Sequence, residues 1–371
     1  MFHFVVAIPC LIVILRYLAP LKWPLWFKFL LSIVLLLIAQ HHLLTLLAFG
    51  SMFSPEVPRI IVLAVNWIFG TMLFLAVLQV AVDLIALMVI AVKRRRIAIP
   101  PVLRYSMGAL ALGVAAFAVS QAARVPAVKN VEAAIQGLPA AFDGYEIVQL
   151  TDLHISRLFE APWVEAVVSQ TNALAPDLIV ITGDLIDGDL DVRLADVAPL
   201  QALSAPDGVY TIPGNHEYYF GYPEWMEHYQ ALGIETLANQ HVVIENDGAN
   251  IVLAGVTDFS APRNAFPAPN VDEALEGAPD NTSIIMLDHQ PRDAAIAASA
   301  GVDLQLSGHT HGGMILGFER LVAKANNGFV SGFYDVQGMT LYVNNGTGLW
   351  PGFALRLGKP SELTRITLRQ G

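Results

Sequence analysis

Side chains that can bind a metal ion follow five short apolar segments of this chain. The five clusters are Asp-x-His, Gly-Asp, Gly-Asn-His-Glu, Asp-His and Gly-His-x-His, and their candidate ligands are Asp152, His154, Asp184, Asn215, His289, His309 and His311. Oxygen and imidazole ligands without thiolates favour a borderline first-row cation such as Mn, Fe, Zn, Co or Ni over Ca. One such cluster alone is more often a surface turn, but five at strand ends indicate a metal centre.

The number of candidate ligands indicates two cations. Seven are too many for one catalytic cation that keeps a position open for water, and they suffice for two cations about 3.5–4 Å apart if one carboxylate bridges. We expect Asp184 to bridge, because Gly183 lets the backbone pack closely there. Asp152 and His154 are expected to face one side of an extended segment, as are the two histidines of Gly-His-x-His. Two cations would lower the pKa of a bridging water, so that hydroxide exists near neutral pH.

The elements that must position these residues alternate along the chain after residue 144. Short apolar strands followed by helices favour a layered α/β fold, in which sites form beyond the carboxyl ends of strands. Later strands without helices between them predict a sandwich of two mixed sheets flanked by helices. Strands are predicted at Glu146–Leu150, Asp177–Thr182, Gly208–Ile212, His241–Ile244, Asn250–Gly255, Ser283–Leu287, Asp303–Leu306 and Met339–Val343. Helices are predicted at Ala161–Leu174, Leu190–Leu203, Pro223–Leu232, Val271–Leu275 and Arg292–Ala300.

The first third of the 371-residue chain has a different composition. Residues 1–124 hold 10 basic and 2 acidic residues, a formal charge of +8, whereas residues 125–371 hold 11 and 30, a charge of −19. The whole chain is 55% hydrophobic and 14% charged, against about 25% charged in soluble domains. We therefore predict an all-α transmembrane module over 1–124, a linker over 125–143 and a catalytic domain over 144–371. The acidic domain argues against a nucleic-acid partner, and the single cysteine, Cys10, excludes an intramolecular disulfide.

Four apolar stretches are long enough to be predicted as membrane spans. They are Phe2–Leu18, Leu25–Phe49, Ile60–Val92 and Leu103–Ala122. Basic residues concentrate in the first and third loops, which the positive-inside rule makes cytoplasmic. The chain is then predicted to be a multi-pass protein of the inner membrane with its catalytic domain on the periplasmic side.

Two features of this part of the chain admit a second interpretation. Arg94, Arg95 and Arg96 before the alanine-rich stretch Gly108–Ala123 are similar to a twin-arginine export signal, although an ordinary span is favoured. Polar residues within the spans, among them His41, His42 and Asp83, would form a proton path or ligand pocket, or else hydrogen-bond one helix to another. Hydrogen bonding between helices is the favoured interpretation.

A run of aromatic residues follows the third cluster. Five aromatic side chains lie within residues 218–225, beside the predicted site. They would line a substrate pocket or touch the bilayer surface, or else pack at the entrance of a helix, and the sequence favours neither interpretation.

The five clusters, in their order along the chain, resemble those of the calcineurin-like metallophosphoesterases. The match consists of Thr151-Asp152-Leu153-His154, Gly183-Asp184, Gly214-Asn215-His216-Glu217, His289 and Gly308-His309-Thr310-His311. It covers residues 142–368 and is similar to the bacterial branch in which a membrane or export segment precedes the domain. Glu217 stands where many members have Asp.

The resemblance implies a role for each matching residue. Asp152, His154 and His311 would hold the first metal, and Asn215, His289 and His309 the second, with Asp184 as the bridge. His216 would lie near the leaving group and protonate it or bond a phosphate oxygen, while Asn215 and the metals would stabilise the charge that develops.

The predicted function is a membrane-anchored phosphoesterase that hydrolyses phosphomonoesters or phosphodiesters with two divalent metal ions. A membrane anchor makes lipid-linked phosphoesters attractive substrates. One alternative is a pyrophosphatase that acts on a UDP-linked lipid A precursor, which would require a cytoplasmic site. Another is a non-catalytic membrane sensor or scaffold with a residual metal site, although the complete ligand set argues against it.

Overall fold

The computed structural model describes residues 2–94 and 98–371 and divides into two compact units. The helical unit comprises Met1–Ala122 together with Pro351–Leu355, and the α/β unit comprises Ala123–Trp350 and Arg356–Gly371. Arg95 and Arg96 lie outside the described residues. The predicted orientation rests on them in part, and the export-signal alternative rests on them and Arg94.

Apolar helices make up the helical unit. They are α1 (Phe2–Ile12), α2 (Leu25–Ala39), α3 (His41–Phe49), α4 (Arg59–Lys93) and α5 (Pro101–Ala123). Within the described residues, α4 and α5 are long and apolar enough to cross a membrane, and α2 with α3 would be a third span if this pair is counted as one. The two are bent by 61°, because Gln40 leaves the helical conformation with φ −104° and ψ 14°. The first predicted span forms a shorter apolar helix at Val5–Leu18, so the prediction of four spans exceeds what helix length supports.

The polar residues in these helices bond other parts of the helical unit. Asp83 accepts hydrogen bonds from Arg16 at 3.0 and 3.1 Å and from Gln79 at 2.9 Å. His41 and His42 instead face the backbone oxygen of Gly352. Asp83 therefore links helical segments, which agrees with the favoured interpretation.

Two six-stranded mixed sheets form the α/β unit. The first sheet has the order β1-β12-β2-β3-β4-β5 and the second β10-β11-β9-β8-β7-β6, with strands at β1 (Val128–Ile135), β2 (Glu146–Leu150), β3 (Leu178–Ile181), β4 (Val209–Thr211), β5 (Glu235–Thr236), β6 (Gln240–Asn246), β7 (Ala249–Gly255), β8 (Ser283–Leu287), β9 (Leu304–Ser307), β10 (Gly332–Val336), β11 (Met339–Val343) and β12 (Leu363–Gln370). The helices are α6 (Ala161–Asn172), α7 (Leu190–Val197), α8 (Asn215–Tyr219), α9 (Tyr222–Ala231), α10 (Val271–Ala274), α11 (Ala294–Ser299) and α12 (Glu319–Ala325). The predicted sandwich of two sheets is confirmed.

The core lies between the two sheets because alternate strand residues point to opposite faces. Leu178 and Val180 of β3 pack in the same buried cluster as Leu253 of β7 and Ile285 of β8. A second buried cluster joins β7, β8 and β11 to α10 and α11. Strands β2, β3, β8 and β9 are thus covered by apolar side chains, which holds their carboxyl ends in place.

The predicted linker over 125–143 is wrong in part. Val128–Ile135 forms β1, which pairs in parallel with β12, from Val128 opposite Leu363 to Ile135 opposite Gln370. Strand β12 pairs on its other side with β2, in antiparallel orientation. The pairing joins segments more than 200 residues apart, so local sequence pattern cannot indicate it. Residues 128–135 therefore belong to the first sheet of the α/β unit.

We predict that Ile366→Ala destabilises the α/β unit. Ile366 is fully buried in the core between the sheets, and its truncation is expected to cost about 2–5 kcal/mol. The control is Thr367→Ala on the opposite face of β12, where less than about 0.5 kcal/mol is expected. Urea unfolding of the full chain in detergent, followed by near-ultraviolet circular dichroism, gives both values. Equal shifts for the two variants would contradict the assignment of the core face.

Candidate metal centre

The seven predicted ligands lie after the carboxyl ends of five strands. Asp152 and His154 follow β2, Asp184 follows β3 and Asn215 follows β4, while His289 follows β8 and both His309 and His311 follow β9. These strands come from both sheets, whose carboxyl ends contribute to one site. The predicted placement at strand ends is confirmed.

The first group of candidate ligands is Asp152, His154 and His311, whose ligand atoms lie within 4.8 Å of one another. His154 Nε2 lies 3.8 Å from Asp152 Oδ1 and 3.3 Å from His311 Nε2. Asp152 Oδ1 lies 3.5 Å from His311 Nε2. All three side chains are buried, so their ligand atoms converge on a space shielded from solvent.

The second group is Asp184, His289 and His309, and a third set, His154, Asp184 and His216, shares one residue with each of the two groups. His289 Nε2 lies 3.2 Å from Asp184 Oδ2 and 3.3 Å from His309 Nδ1. The same Asp184 oxygen lies 3.8 Å from His154 Nε2 of the first group. Asp184 is therefore the residue that joins the two groups.

Asn215 contributes a buried oxygen without a partner. Its Oδ1 makes no hydrogen bond within the described part of the chain, and the residue is 7% exposed. A buried polar atom without a partner costs free energy, and a cation would satisfy it. The donor set therefore fits divalent metal ions: one unpaired amide oxygen, two carboxylates and four imidazoles without a thiolate.

The backbone at the ligands differs from the extended geometry expected from their spacing. Asp152, His154 and His311 have φ values of 51°, 46° and 50°, and Asp184 and His309 have 54° and 67°. Non-glycine residues avoid this left-handed region, and its occupation clusters at functional sites. Asp152 and His154, like His309 and His311, face the site because the chain turns sharply at each of these residues. The expectation of an extended segment is therefore wrong, although the expected convergence of the side chains is present.

The close backbone approach expected at Gly183 is present. A Cβ built on Gly183, whose φ is +87°, would lie 2.7 Å from Gly214 Cα and 2.8 Å from His289 Nδ1. A Cβ on Gly214 would lie 2.2 Å from Asp184 Oδ1. The two glycines thus let β3 and β4 bring their polar ends together.

Asp187 is a functional residue that the sequence analysis missed. Its Oδ1 faces His154 Nδ1 at 3.2 Å and forms a short contact with His216 Nδ1. It therefore orients both imidazoles, so that each presents Nε2 to the site. The only signal in the sequence is an acidic residue three positions after Asp184 in an apolar context.

Glu217 orders the loops rather than facing the ligands. Its carboxylate accepts hydrogen bonds from the backbone N–H groups of Asp184 at 3.1 Å, Leu185 at 2.7 Å and Gly214 at 2.7 Å. Burial, with the Asp184 charge next, raises the pKa of Glu217 to about 7. The longer side chain of Glu ties the β3 and β4 loops together.

The histidines of the centre differ in their pKa values. Burial would lower the pKa of His216, but Asp184 and Asp187 outweigh it and raise the pKa to about 9. Burial likewise opposes protonation of His289, yet Asp184 holds its pKa well above the usual range. Burial, assisted by His289, lowers the pKa of His309 to about 3. The nearby carboxylates therefore stabilise positive charge on His216 and His289, whereas burial disfavours it on His309.

The aromatic run is mostly packing. Tyr218 is buried and stacks on Tyr222 with ring centroids 4.5 Å apart, and Trp225 is fully buried. Tyr219 differs, since it is 44% exposed and its ring lies 5.3 Å from that of His216. Tyr219 is thus a candidate substrate contact.

With this geometry in place, comparison with known proteins identifies the class of protein. Residues 145–313 match the family described as Calcineurin-like phosphoesterase. The chain is 34% identical over 239 residues to "Uncharacterized metallophosphoesterase YkuE" of Bacillus subtilis, a match that covers 62% of this chain and 82% of that protein. The chain therefore belongs to the calcineurin-like metallophosphoesterase family.

Two vertebrate relatives carry the name "Transmembrane protein with metallophosphoesterase domain". The chain is 35% identical to the Danio rerio protein over 69% of its own length and 60% of that protein, and 34% identical to the Bos taurus protein over 75% and 64%. The chain therefore spans less than two thirds of the length of these relatives.

Comparison with solved structures gives partial matches. Calcineurin-like phosphoesterase YfkN from Bacillus subtilis matches with a TM-score of 0.37 and 16% identity over 55% of this chain and 81% of that one. A dimetal phosphatase from Danio rerio matches with a TM-score of 0.37 and 13% identity, over 55% and 88%.

We predict that Asp187→Asn impairs the centre without unfolding it. Loss of the charged acceptor leaves His154 and His216 free to rotate, and such losses cost about 10–100-fold in activity or metal affinity. Metal-dependent hydrolysis of a chromogenic phosphodiester measures the effect. The matched control is Asp191→Asn on the exposed side of α7. Wild-type turnover in both variants would contradict the orienting role of Asp187.

Proposed function

We propose that this protein is a membrane-anchored phosphoesterase that hydrolyses phosphomonoesters or phosphodiesters with two divalent metal ions. One observation carries the proposal: two groups of three candidate ligands share a buried site, and Asp184 faces both. A shared carboxylate is what two ions about 3.5–4 Å apart require. Membership of the metallophosphoesterase family supports the same reaction class.

The proposed ligand assignment follows the two groups. Asp152, His154 and His311 would hold the first ion, and Asp184 would be shared with the second. His289, His309 and the unpaired Oδ1 of Asn215 complete the second set. The His289 imidazole is held in one orientation, because its Nδ1 donates to the backbone oxygen of Thr182 at 2.8 Å.

The remaining polar residues supply proton transfer and orientation. Bound divalent ions would supply Lewis acidity toward the phosphate and a water-derived nucleophile near neutral pH. His216 holds its Nδ1 against Asp187 and directs Nε2 into the site, 3.9 Å from Asp184 Oδ2. From there Nε2–H donates a proton to the leaving oxygen. Asp187 keeps the imidazole oriented while that proton moves.

The membrane proposal rests on composition and helix length. Helices α4 and α5 are long and apolar enough to span a bilayer, and two relatives carry transmembrane names. Lys22 precedes α2, Lys28 lies near the start of α2, and Lys93 ends α4. By the positive-inside rule, these basic residues favour a cytoplasmic position for those helix ends. We therefore propose a multi-pass protein of the inner membrane with its metal centre on the periplasmic side.

The proposed substrate is a lipid-linked phosphoester. An anchored hydrolase meets lipid head groups at high local concentration, and an acidic domain repels long polyanions such as nucleic acids. Tyr219, exposed beside His216, offers an aromatic surface to the organic part of the substrate. Phospholipid vesicles compared with a soluble chromogenic diester test this preference.

Asp184→Asn and His309→Ala are expected to abolish hydrolysis while the fold remains. Removing a shared or direct ligand is expected to lower turnover by more than about 100-fold, since even outer residues of metal sites cost about 10–100-fold. The assay is chromogenic phosphodiester hydrolysis by the full chain, with chelator and with added Mn²⁺ or Zn²⁺. The control is His228→Ala, far along α9 from the clustered ligands. Wild-type turnover of Asp184→Asn, or activity that survives metal removal, would contradict the two-metal proposal.

The orientation has a direct test in a background without Cys10. A cysteine at exposed Ala127 is expected to react with a membrane-impermeant maleimide in intact spheroplasts, because it lies on the periplasmic side. A cysteine at exposed Lys22 is the matched control and is expected to react only after permeabilisation. The reverse pattern would place the metal centre in the cytoplasm and favour nucleotide-linked substrates.

A further inference from the structure

Five residues near the C-terminus belong to the helical unit although the chain on both sides of them belongs to the α/β unit. Pro351–Leu355 groups with the helices, whereas Trp350 and Arg356 group with the α/β unit. We call Pro351–Leu355 the excursion. The chain therefore leaves the α/β unit after Trp350 and returns to it at Arg356.

Asn66 of α4 binds both ends of the excursion. Its Nδ2 donates to the Pro351 oxygen at 2.7 Å, and its Oδ1 accepts from the Ala354 N–H at 2.7 Å. Asn66 is 1% exposed in an apolar helix, where a buried amide is costly unless it is fully hydrogen-bonded. The excursion satisfies this amide on both its oxygen and its nitrogen.

Further contacts from the helices surround the middle of the excursion. His42 Nε2 lies 2.7 Å and His41 Nε2 3.0 Å from the Gly352 oxygen. The ring of Phe353 meets that of Phe69 at 5.8 Å. The helical unit thus holds this segment through side chains from two different helices, α3 and α4.

The space around the excursion is also tight at its last residue. A Cβ on Gly70 of α4 would lie 2.7 Å from Leu355 Cδ2. A larger side chain at position 70 therefore requires the end of the Leu355 side chain to shift, without removing a hydrogen bond.

Within the α/β unit, both flanks of the excursion bond the main chain of proposed metal ligands. Before it, the Gly348 N–H donates to the Asp152 oxygen at 3.0 Å. After it, buried Arg356 donates to the His311 oxygen through Nη1 at 2.6 Å, and to the Gly348 oxygen through Nη2 at 3.1 Å. Arg356 therefore joins the two flanks to each other and to His311.

We propose that Asn66 is a positioning residue for the metal centre. By fixing the excursion, it fixes Gly348 and Arg356, which support Asp152 and His311 in their left-handed backbone conformations. Such conformations persist only where surrounding contacts determine them. The inference rests on the proposed function, because it assigns Asp152 and His311 to the first metal ion.

The test compares two buried amides of α4 in the full chain in detergent. Asn66→Leu removes both hydrogen bonds to the excursion, and Asn66→Asp keeps only the acceptor for the Ala354 N–H. Gln79→Leu is the matched control, because Gln79 is also 1% exposed but bonds Asp83. Calorimetric titration of the metal-depleted chain with Mn²⁺ and hydrolysis of a soluble chromogenic diester are the two readouts.

We expect Asn66→Leu to weaken one of two Mn²⁺ binding events by about 10–100-fold and to lower kcat similarly, with KM little changed. Asn66→Asp is expected to be intermediate, and Gln79→Leu to behave like wild type. A merely structural role would weaken both binding events or lower the folded fraction. Unchanged Mn²⁺ affinity and kcat in folded Asn66→Leu would overturn the proposal.

A second pair of variants guards against misfolding of Asn66→Leu. Gly70→Val presses on Leu355, whereas Gly113→Val on α5 has no atom within 4 Å of the added Cβ. Only Gly70→Val is expected to weaken the same Mn²⁺ binding event, and equal affinities for the pair would count against the proposal. A wild-type chain that binds Mn²⁺ but hydrolyses no diester would refute the proposed function, while the affinity comparison would still decide the role of Asn66.

Discussion

Asp184 is only 2% exposed, and burying an ionised carboxylate without partners costs several kcal/mol. The surrounding structure supplies those partners. The backbone N–H of His216 donates to Oδ1 at 2.8 Å, and the imidazoles of His289, His154 and His216 face Oδ2 at 3.2, 3.8 and 3.9 Å. Burial raises the pKa of Asp184, but these imidazoles outweigh it and hold the pKa well below its usual range. The arrangement of the strand ends follows from the need to surround this one negative charge.

The same need explains why the site uses unfavourable backbone conformations. A two-sheet sandwich brings many strand ends together, but each strand can direct only a few side chains into a shared space. Sharp left-handed turns at Asp152, Asp184 and His309 re-aim side chains that a straight strand would send elsewhere. Such turns cost about 1–3 kcal/mol each, which the buried strands β2, β3 and β9 offset through apolar packing. Chemistry at the strand ends therefore depends on stability in the sheets.

Prediction from sequence succeeds where signals are local. Apolar runs such as Ser283–Leu287 and Met339–Val343 coincide with β8 and β11, and the polar clusters directly after the strands lie together. Prediction fails where partners are distant, as for β1, which has few periodic apolar positions of its own and needs β12 to form. It fails equally for Asp187, whose importance depends on two histidines that converge only in the folded chain. Arg356 has no local signal, because its partners are backbone oxygens.

The sharp difference in composition at residue 124 suggests two independent parts, yet the fold crosses that boundary. If local composition alone determined which residues pack together, the basic apolar third and the acidic remainder would form two units connected by a single crossing of the chain. Instead Pro351–Leu355 belongs to the helices, and its composition explains why. Its proline, glycine, phenylalanine, alanine and leucine carry no charge, so their transfer to an apolar helical unit costs only the burial of the backbone polar groups. Asn66, His41 and His42 bond three of those groups, at Pro351, Gly352 and Ala354. Asn66, His41 and His42 thus mark the place in the apolar helices where Pro351–Leu355 docks.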